Sequence, residues 1–229
     1  MPGVWGTRSV MPELDSLLDR YVAAQLAGDH REALRVVLDD GVGAGVAIQD
    51  LYLRVLQAAQ YRIGELWQAN QISVAHEHLA TGISQVVLAH LYPLLPRPLS
   101  VERRVLVSCS DGELHELGGR MVADFFEMAG FTVRHLGGAL PTDQLVAMVR
   151  EDPPDVLVLS ATMTQNLRPL HQVVLRVRDI GGHRPLLAVG GQAFTWDPSM
   201  VGAIGAEVYG HDARESVTEV RRLLLPGAA

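Results

Sequence analysis

Arg104-Val105-Leu106-Val107-Ser108, then four residues to Glu113-Leu114-His115-Glu116-Leu117-Gly118-Gly119, is the stretch whose reading decides the fold. Its first part is apolar and β-prone and reads as a strand; a helical pattern then runs from about 115 to 129. The same alternation repeats downstream. Thr132 to Leu136 reads as a strand and about 142–151 as a helix. Val156 to Ser160 is a strongly apolar strand, followed by a helix over about 167–179 and a strand from Leu186 to Val189. A short helix near 199–204, a strand at Glu207 to Tyr209 and a last helix over about 213–224 complete the pattern. Strand and helix alternating at this pitch predict an open parallel sheet covered on both faces. In such sheets ligands bind beyond the carboxyl ends of the strands. His115 and Gly190-Gly191 each follow a strand directly, so the reading puts them on one rim.

Upstream the texture is different. Residues 12–95 carry apolar residues at helical spacing: Leu14, Leu17, Leu18, Tyr21 and Leu26, then Leu34, Val37 and Leu38. A longer helix is predicted over about 46–69 and another over about 73–95, with breaks at Gly28 to His30, Gly41 to Gly45 and Asn70 to Ser73. Four helices with short connections predict an up-and-down bundle. Pro93 to Ser100 holds three prolines and cannot continue a helix. The predicted organisation is therefore a four-helix bundle over 1–96 followed by a Rossmann-like (flavodoxin-like) parallel-sheet domain over 97–229, an α/β plus all-α chain.

Composition narrows the function. The net charge is −7 and every base is Arg, with no Lys anywhere. That excludes a Schiff-base lysine and a phosphate-binding P-loop lysine. The acidic balance argues against direct nucleic-acid binding, where affinity comes mostly from phosphate neutralisation. The single cysteine, Cys109, excludes an internal disulfide and reads as a buried thiol. No apolar run reaches the ~18 residues that span a bilayer. No secretion signal is read at the N-terminus either, so the expected residence is cytoplasmic.

Taken singly, the rim residues are weak signals. A lone His after a strand is usually a capping or solvated residue. Glu113, two residues away, is close enough to hold the imidazole, as the partner of a metal-bound His does. Gly118-Gly119 at a helix start leaves room for something bulky, or for close helix–sheet packing. Ser160 could be an ordinary strand-end hydroxyl, and Gly190-Gly191 an ordinary turn. In order, Glu113-Leu114-His115-Glu116-Leu117-Gly118, Leu159-Ser160-Ala161-Thr162 and Val189-Gly190-Gly191-Gln192 resemble the cobalamin-binding signature Asp-x-His-x-x-Gly, Ser-x-Leu, Gly-Gly. The resemblance implies that His115 coordinates cobalt from below with Glu113 hydrogen-bonded behind it. It also implies that Ser160 bonds the nucleotide tail, that Gly190 and Gly191 leave room for the displaced base, and that Leu114, Gly118, Thr162 and Gln192 line the site. Glu113 stands where the signature has Asp, and Thr162 where it has Leu.

In the helical half, Trp67 is followed after nine residues by Glu77-His78. In one continuous helix Trp67 and Glu77 would lie ~15 Å apart; a turn between them lets them converge. This Trp-x9-Glu-His pattern is similar to the cobalamin-dependent photoreceptors of the CarH type. By that resemblance the bundle caps the upper face of adenosylcobalamin, with Trp67 beside the upper group, Glu77 on the adenosyl ribose and His78 in support. Bundle core for Trp67 and a solvated helix start for Glu77-His78 are the structural alternatives. Those photoreceptors have a His after the Trp; here it is Gln68, a poor cobalt ligand, and nearby His76 could substitute only from a different direction on its helix. The resemblance is then to a stand-alone, photocobilin-like branch that holds a bilin such as biliverdin. The bilin would be non-covalent, with Arg54, Arg62 and His90 as candidate cations for its propionates. The resemblance further implies a homo-oligomer. The first reading is thus a light sensor, not an enzyme, that holds a photolabile adenosylcobalamin and signals to a downstream protein. The alternative is a methyl-carrying corrinoid protein of a cobalamin-dependent methyltransferase system. A third is a corrinoid-free interaction module.

Overall fold

The computed structural model describes residues 10–182 and 184–225. What precedes the first helix lies outside the described residues. The chain divides into two compact units, Met1–Leu95 and Pro96–Ala229. Among the described residues no helix is long and apolar enough to cross a membrane.

The first unit is helical: α1 (Val10–Ala27), α2 (His30–Leu38), α3 (Ile48–Asp50), α4 (Ala58–Gln68) and α5 (Val74–Leu91). Asp29 caps α2 by accepting the Glu32 backbone N–H at 3.0 Å, which satisfies one of the orphan donors of a helix start. The helix expected over about 46–69 carries a π-helical stretch, Leu51–Gln57, between α3 and α4. Its widened turns keep Leu51, Tyr52, Val55 and Leu56 fully buried. A hydrophobic period does not register this change of winding, so the sequence reads as one unbroken helix. The interior is not wholly apolar. Gln25, fully buried, donates to Ala80 O at 3.0 Å and to Ser84 Oγ at 3.0 Å, and the Tyr21 hydroxyl lies 2.9 Å from the same Oγ.

The second unit is a five-stranded, all-parallel sheet in the order β2-β1-β3-β4-β5. Its strands are β1 (Arg104–Cys109), β2 (Thr132–His135), β3 (Val156–Ser160), β4 (Leu186–Gly190) and β5 (Val208–Tyr209). They are linked by α6 (Leu117–Met128), α7 (Thr142–Glu151), α8 (Leu167–Arg178), α9 (Gln192–Trp196) and α10 (Ser199–Ile204), and α11 (Ala213–Leu224) closes the chain. All five residues of β3 are buried, as expected of a central strand covered on both faces. Leu106, Leu157, Leu159, Leu187 and Val189 meet apolar residues of α7 and α8 in one core. Alternate residues point the other way, where α6 and α11 pack together.

Residues 192–196 form the short helix α9 directly after β4. Phe194 on it is fully buried in the core. The position-to-face assignment of a five-residue helix is too short for periodicity to reveal.

Candidate functional site at the carboxyl edge of the sheet

The chain leaves β1 toward β2 on one side and returns to β3 on the other, so β1 and β3 flank the topological switch point. Register aligns their ends: Cys109 pairs with Ser160, and Ser160 with Gly190. One row further, the Ser110 N–H donates to Ser160 O at 3.1 Å, and the Ala161 N–H to Gly190 O at 3.0 Å.

Glu113 sits at the centre of this edge, fully buried. Its Oε1 accepts the His115 backbone N–H at 3.0 Å and lies 2.5 Å from His115 Nδ1. Its Oε2 accepts the Thr162 N–H at 2.8 Å, the Met163 N–H at 3.1 Å and Asn166 Nδ2 at 2.9 Å. One carboxylate thus joins the loop after β1 to the loop after β3. Burial alone would push its pKa up. The hydrogen bonds from His115 and Asn166 and from the backbone N–H groups outweigh it and hold the carboxyl down at about 2. Glu113 is therefore ionised, and the Nδ1 proton of His115 has an acceptor. That leaves Nε2 as the ring nitrogen with a lone pair for a metal. The His115 side chain is 47% exposed, and Leu114 beside it is 78% exposed. Asn166, which sequence reasoning missed, is 53 residues from Glu113, and no local motif signals it.

The backs of these loops are fixed too. Gly138 lies so close that a Cβ there would stand 2.6 Å from Glu113 O. Glu116 Oε2 accepts the Gly138 N–H at 3.1 Å. Under α6, Cys109 is buried, its thiol pushed up to about 12 by burial and by the charges of Glu113 and Glu116. Partly buried His135 has its pKa lowered, first by desolvation and then by Arg120, against the opposing pull of Glu116.

The glycines divide by role. A Cβ on Gly118 would come no closer than 3.9 Å, to Ser160 Oγ, so space is open beside that hydroxyl. Gly119 meets His135 and Cys109, which is helix–sheet packing. Gly191 has φ +105, and a Cβ there would stand 2.3 Å from Ala161 O. Its lack of a side chain serves backbone approach, a reason different from the expected room for a base. Thr162 serves Glu113 through its backbone N–H, so the change from the signature's Leu leaves that contact intact.

In the helical unit, Glu77 Oε1 accepts the Thr81 hydroxyl at 3.0 Å and Oε2 lies 2.6 Å from His78 Nδ1. Gln60 Nε2 in turn donates to Thr81 Oγ1 at 2.9 Å. The hydrogen bonds of Glu77 and His78 thus run to Gln60's partner Thr81 and to each other rather than to Trp67. Trp67, 38% exposed at the end of α4, is not bundle core, and Gln68 beside it is exposed. His76 Nδ1 is engaged with Ser73 Oγ at 2.7 Å in the capping box of α5. The cations expected to hold bilin propionates are committed elsewhere: Arg54 to Asp15, Arg62 to Asp19 and His90 to Val86 O.

Among the described residues, no three His, Cys, Asp or Glu side chains converge on a metal. A half-exposed His on a buried carboxylate suits a metal whose other ligands arrive with a macrocycle. Residues 103–219 match the family described as "B12 binding domain", and residues 17–92 match a second family pattern of the same description. The chain belongs to the B12-binding domain family. Its cofactor class is therefore a cobalamin or related corrinoid, as the His115 signature implied. Dimethylamine corrinoid protein 3 of Methanosarcina acetivorans is 24% identical over 217 residues, 94% of this chain and 100% of the relative. Trimethylamine corrinoid protein of Methanosarcina barkeri is 25% identical over 197 residues, 84% and 90% of the two chains. The solved monomethylamine corrinoid protein of Methanosarcina barkeri shares the fold, with a TM-score of 0.78 at 20% identity over 94% of this chain and 100% of that one. These likenesses support the corrinoid part of the resemblance. They do not extend to adenosylcobalamin, biliverdin or light sensing.

Proposed function

We propose that this protein is a methyl-carrying corrinoid protein that serves separate methyltransferases. The observation that carries the proposal is the buried, ionised Glu113 fixed to both the backbone and Nδ1 of half-exposed His115 at the sheet's switch point. The names of relatives aligned over most of both chains favour this reading over the light sensor.

When bound, a corrinoid supplies a cobalt centre able to accept and release a methyl group. His115 would hold that cobalt through Nε2. Glu113 would keep the proton on Nδ1 and so keep the Nε2 lone pair available. Leu114 offers apolar surface beside the ligand. Gly118, Ser160, Thr162, Gly190, Gly191 and Gln192 would line the path of the nucleotide tail, with the Ser160 hydroxyl as its hydrogen-bond partner.

A second reading, an adenosylcobalamin light sensor, rests on exposed Trp67 and on the Glu77–His78 pair at the start of α5. One experiment separates the two. The protein is loaded with cobalamin bearing a methyl or an adenosyl group, and absorption is followed in the dark, under light and after reduction, beside His115→Ala. The carrier predicts a retained base-off spectrum altered by His115→Ala, remethylation of the reduced protein by methyl iodide, and light effects no greater than in free cofactor. An irreversible, protein-dependent light response would favour the sensor. No retained corrinoid would overturn both.

A further inference from the structure

We propose that the interior of the helical unit sets the state of a surface histidine. A one-way line of hydrogen bonds begins at buried Tyr21 and ends on Glu77. Glu77 in turn holds the Nδ1 proton of His78, so that Nε2 faces solvent with its lone pair. Gln60 and Thr81 are then positioning residues of a second ligand nitrogen, suited to a metal centre with one open axial position. Nothing in this arrangement depends on the corrinoid at the edge of the sheet.

The direction of the line is fixed by a backbone carbonyl. Ala80 O can only accept, so the part of the Gln25 amide that faces it at 3.0 Å is Nε2. The same Nε2 donates to Gln60 Oε1 at 3.1 Å. Gln60 therefore turns its own Nε2 to Thr81 Oγ1, at 2.9 Å. Thr81 is left with one proton to give, and it goes to Glu77 Oε1 at 3.0 Å. A second branch joins from behind. The Ser84 hydroxyl donates to Gln60 Oε1 at 3.2 Å, and Tyr21 OH, 2.9 Å from Ser84 Oγ, donates to it. Gln25 Nε2 also faces that Oγ at 3.0 Å. Tyr21, Gln25 and Ser84 are fully buried. From Tyr21 to Thr81 each donor along the line points toward the carboxylate of Glu77, and aligned hydrogen bonds strengthen one another.

The outer end leaves the bundle. Glu77 Oε2 lies 2.6 Å from His78 Nδ1, with the Glu77 side chain 18% exposed and that of His78 75% exposed. Among the described residues, His78 and His115 are the histidines whose Nδ1 faces a carboxylate oxygen. His30 and His90 face backbone carbonyls, and His76 and His211 face hydroxyls. A carboxylate on one ring nitrogen fixes the tautomer and leaves the other nitrogen for a metal. A polar layer that served helix packing alone would need no partner outside the bundle; this one runs on to a solvent-facing ring nitrogen.

The test is nitrogen NMR of the full chain at about pH 8, followed by binding of diaquocobinamide, a corrinoid without the nucleotide tail, in the His115→Ala background. His78 should be mainly the Nδ1–H tautomer, by about tenfold, roughly one hydrogen bond to a carboxylate. Thr81→Val and Gln60→Met should each lower that ratio by about threefold or more. Thr81→Ser, which keeps the hydroxyl, should leave it unchanged. Glu77→Gln, with its oxygen kept on Thr81 and its N–H groups turned to His78, should reverse it. Against His115→Ala alone, adding His78→Ala or Glu77→Gln should weaken cobinamide binding by about tenfold, read by corrin absorption. A His78 protonated mainly on Nε2, a ratio indifferent to Thr81→Val and Gln60→Met, or equal cobinamide affinity with and without His78 overturns the proposal. Urea midpoints of the variants show whether each is folded.

Discussion

Glu113→Gln keeps the shape of the side chain and removes its charge, and its consequences can be worked through. The carboxyl lies at about 2 against an ordinary 4.5. At ~1.4 kcal/mol per tenfold in proton affinity, the ionised form gains about 3 kcal/mol on folding. For a carboxyl with a lowered pKa this stabilisation is complete above the unfolded value and is lost as pH falls from about 4.5 toward 2. The glutamine variant lacks it at every pH. The gap between the two proteins should be about 3 kcal/mol at pH 7 and narrower by about 1.4 kcal/mol at pH 3.5. Urea unfolding read by Trp196 fluorescence, with Trp5 and Trp67 replaced by Phe, reports the sheet unit. Chemistry adds a second readout. With its oxygen kept on Thr162, Met163 and Asn166, the new amide presents N–H groups to His115. The imidazole then accepts at Nδ1 and carries its proton on Nε2, the nitrogen needed for cobalt. Nitrogen NMR of the ring should show the tautomer exchanged and corrinoid affinity should fall. A gap below 1 kcal/mol at pH 7, or one unchanged at pH 3.5, would refute the reasoning.

Three further outcomes are expected. Gly191→Ala forces a side chain into φ +105 with Ala161 O at 2.3 Å from its Cβ, and should lower the stability of the sheet unit by about 2 kcal/mol or more. Cys109, buried with its thiol pushed up to about 12, should react with a disulfide reagent at pH 8 only as the sheet unit unfolds, so urea should accelerate labelling. Asp29→Ala removes the cap of α2 and should cost about 1 kcal/mol in the helical unit, seen by circular dichroism on thermal melting.

The sheet was legible because β1, β3 and β4 are short apolar runs and the longer helices between the strands carry a 3.6-residue period. Both patterns lie in the order of the residues alone. His115 and Glu113 were legible because the pair is local, two residues apart on one loop. Asn166, Thr162 and Met163 reach Glu113 only through the fold, across 49 to 53 residues, and no spacing rule spans that distance. Gly191 could be seen as special but not why, since the Ala161 carbonyl that demands it lies 30 residues earlier, just past the end of β3. In the helical unit, Trp67 and Glu77-His78 stood out by pattern, while the Gln60–Thr81 support behind Glu77 emerged only with the packed helices.

The single Glu113 oxygen that holds both the backbone N–H and Nδ1 of His115 also has a kinetic meaning. The two torsions that aim the imidazole are frozen when the polypeptide folds, before any macrocycle arrives. Their entropy is charged to the folding equilibrium and not to association. Apo and loaded protein should share this loop geometry. The speed of capture is then set by diffusion and by displacement of the base from cobalt, rather than by a wait for a histidine to find its direction.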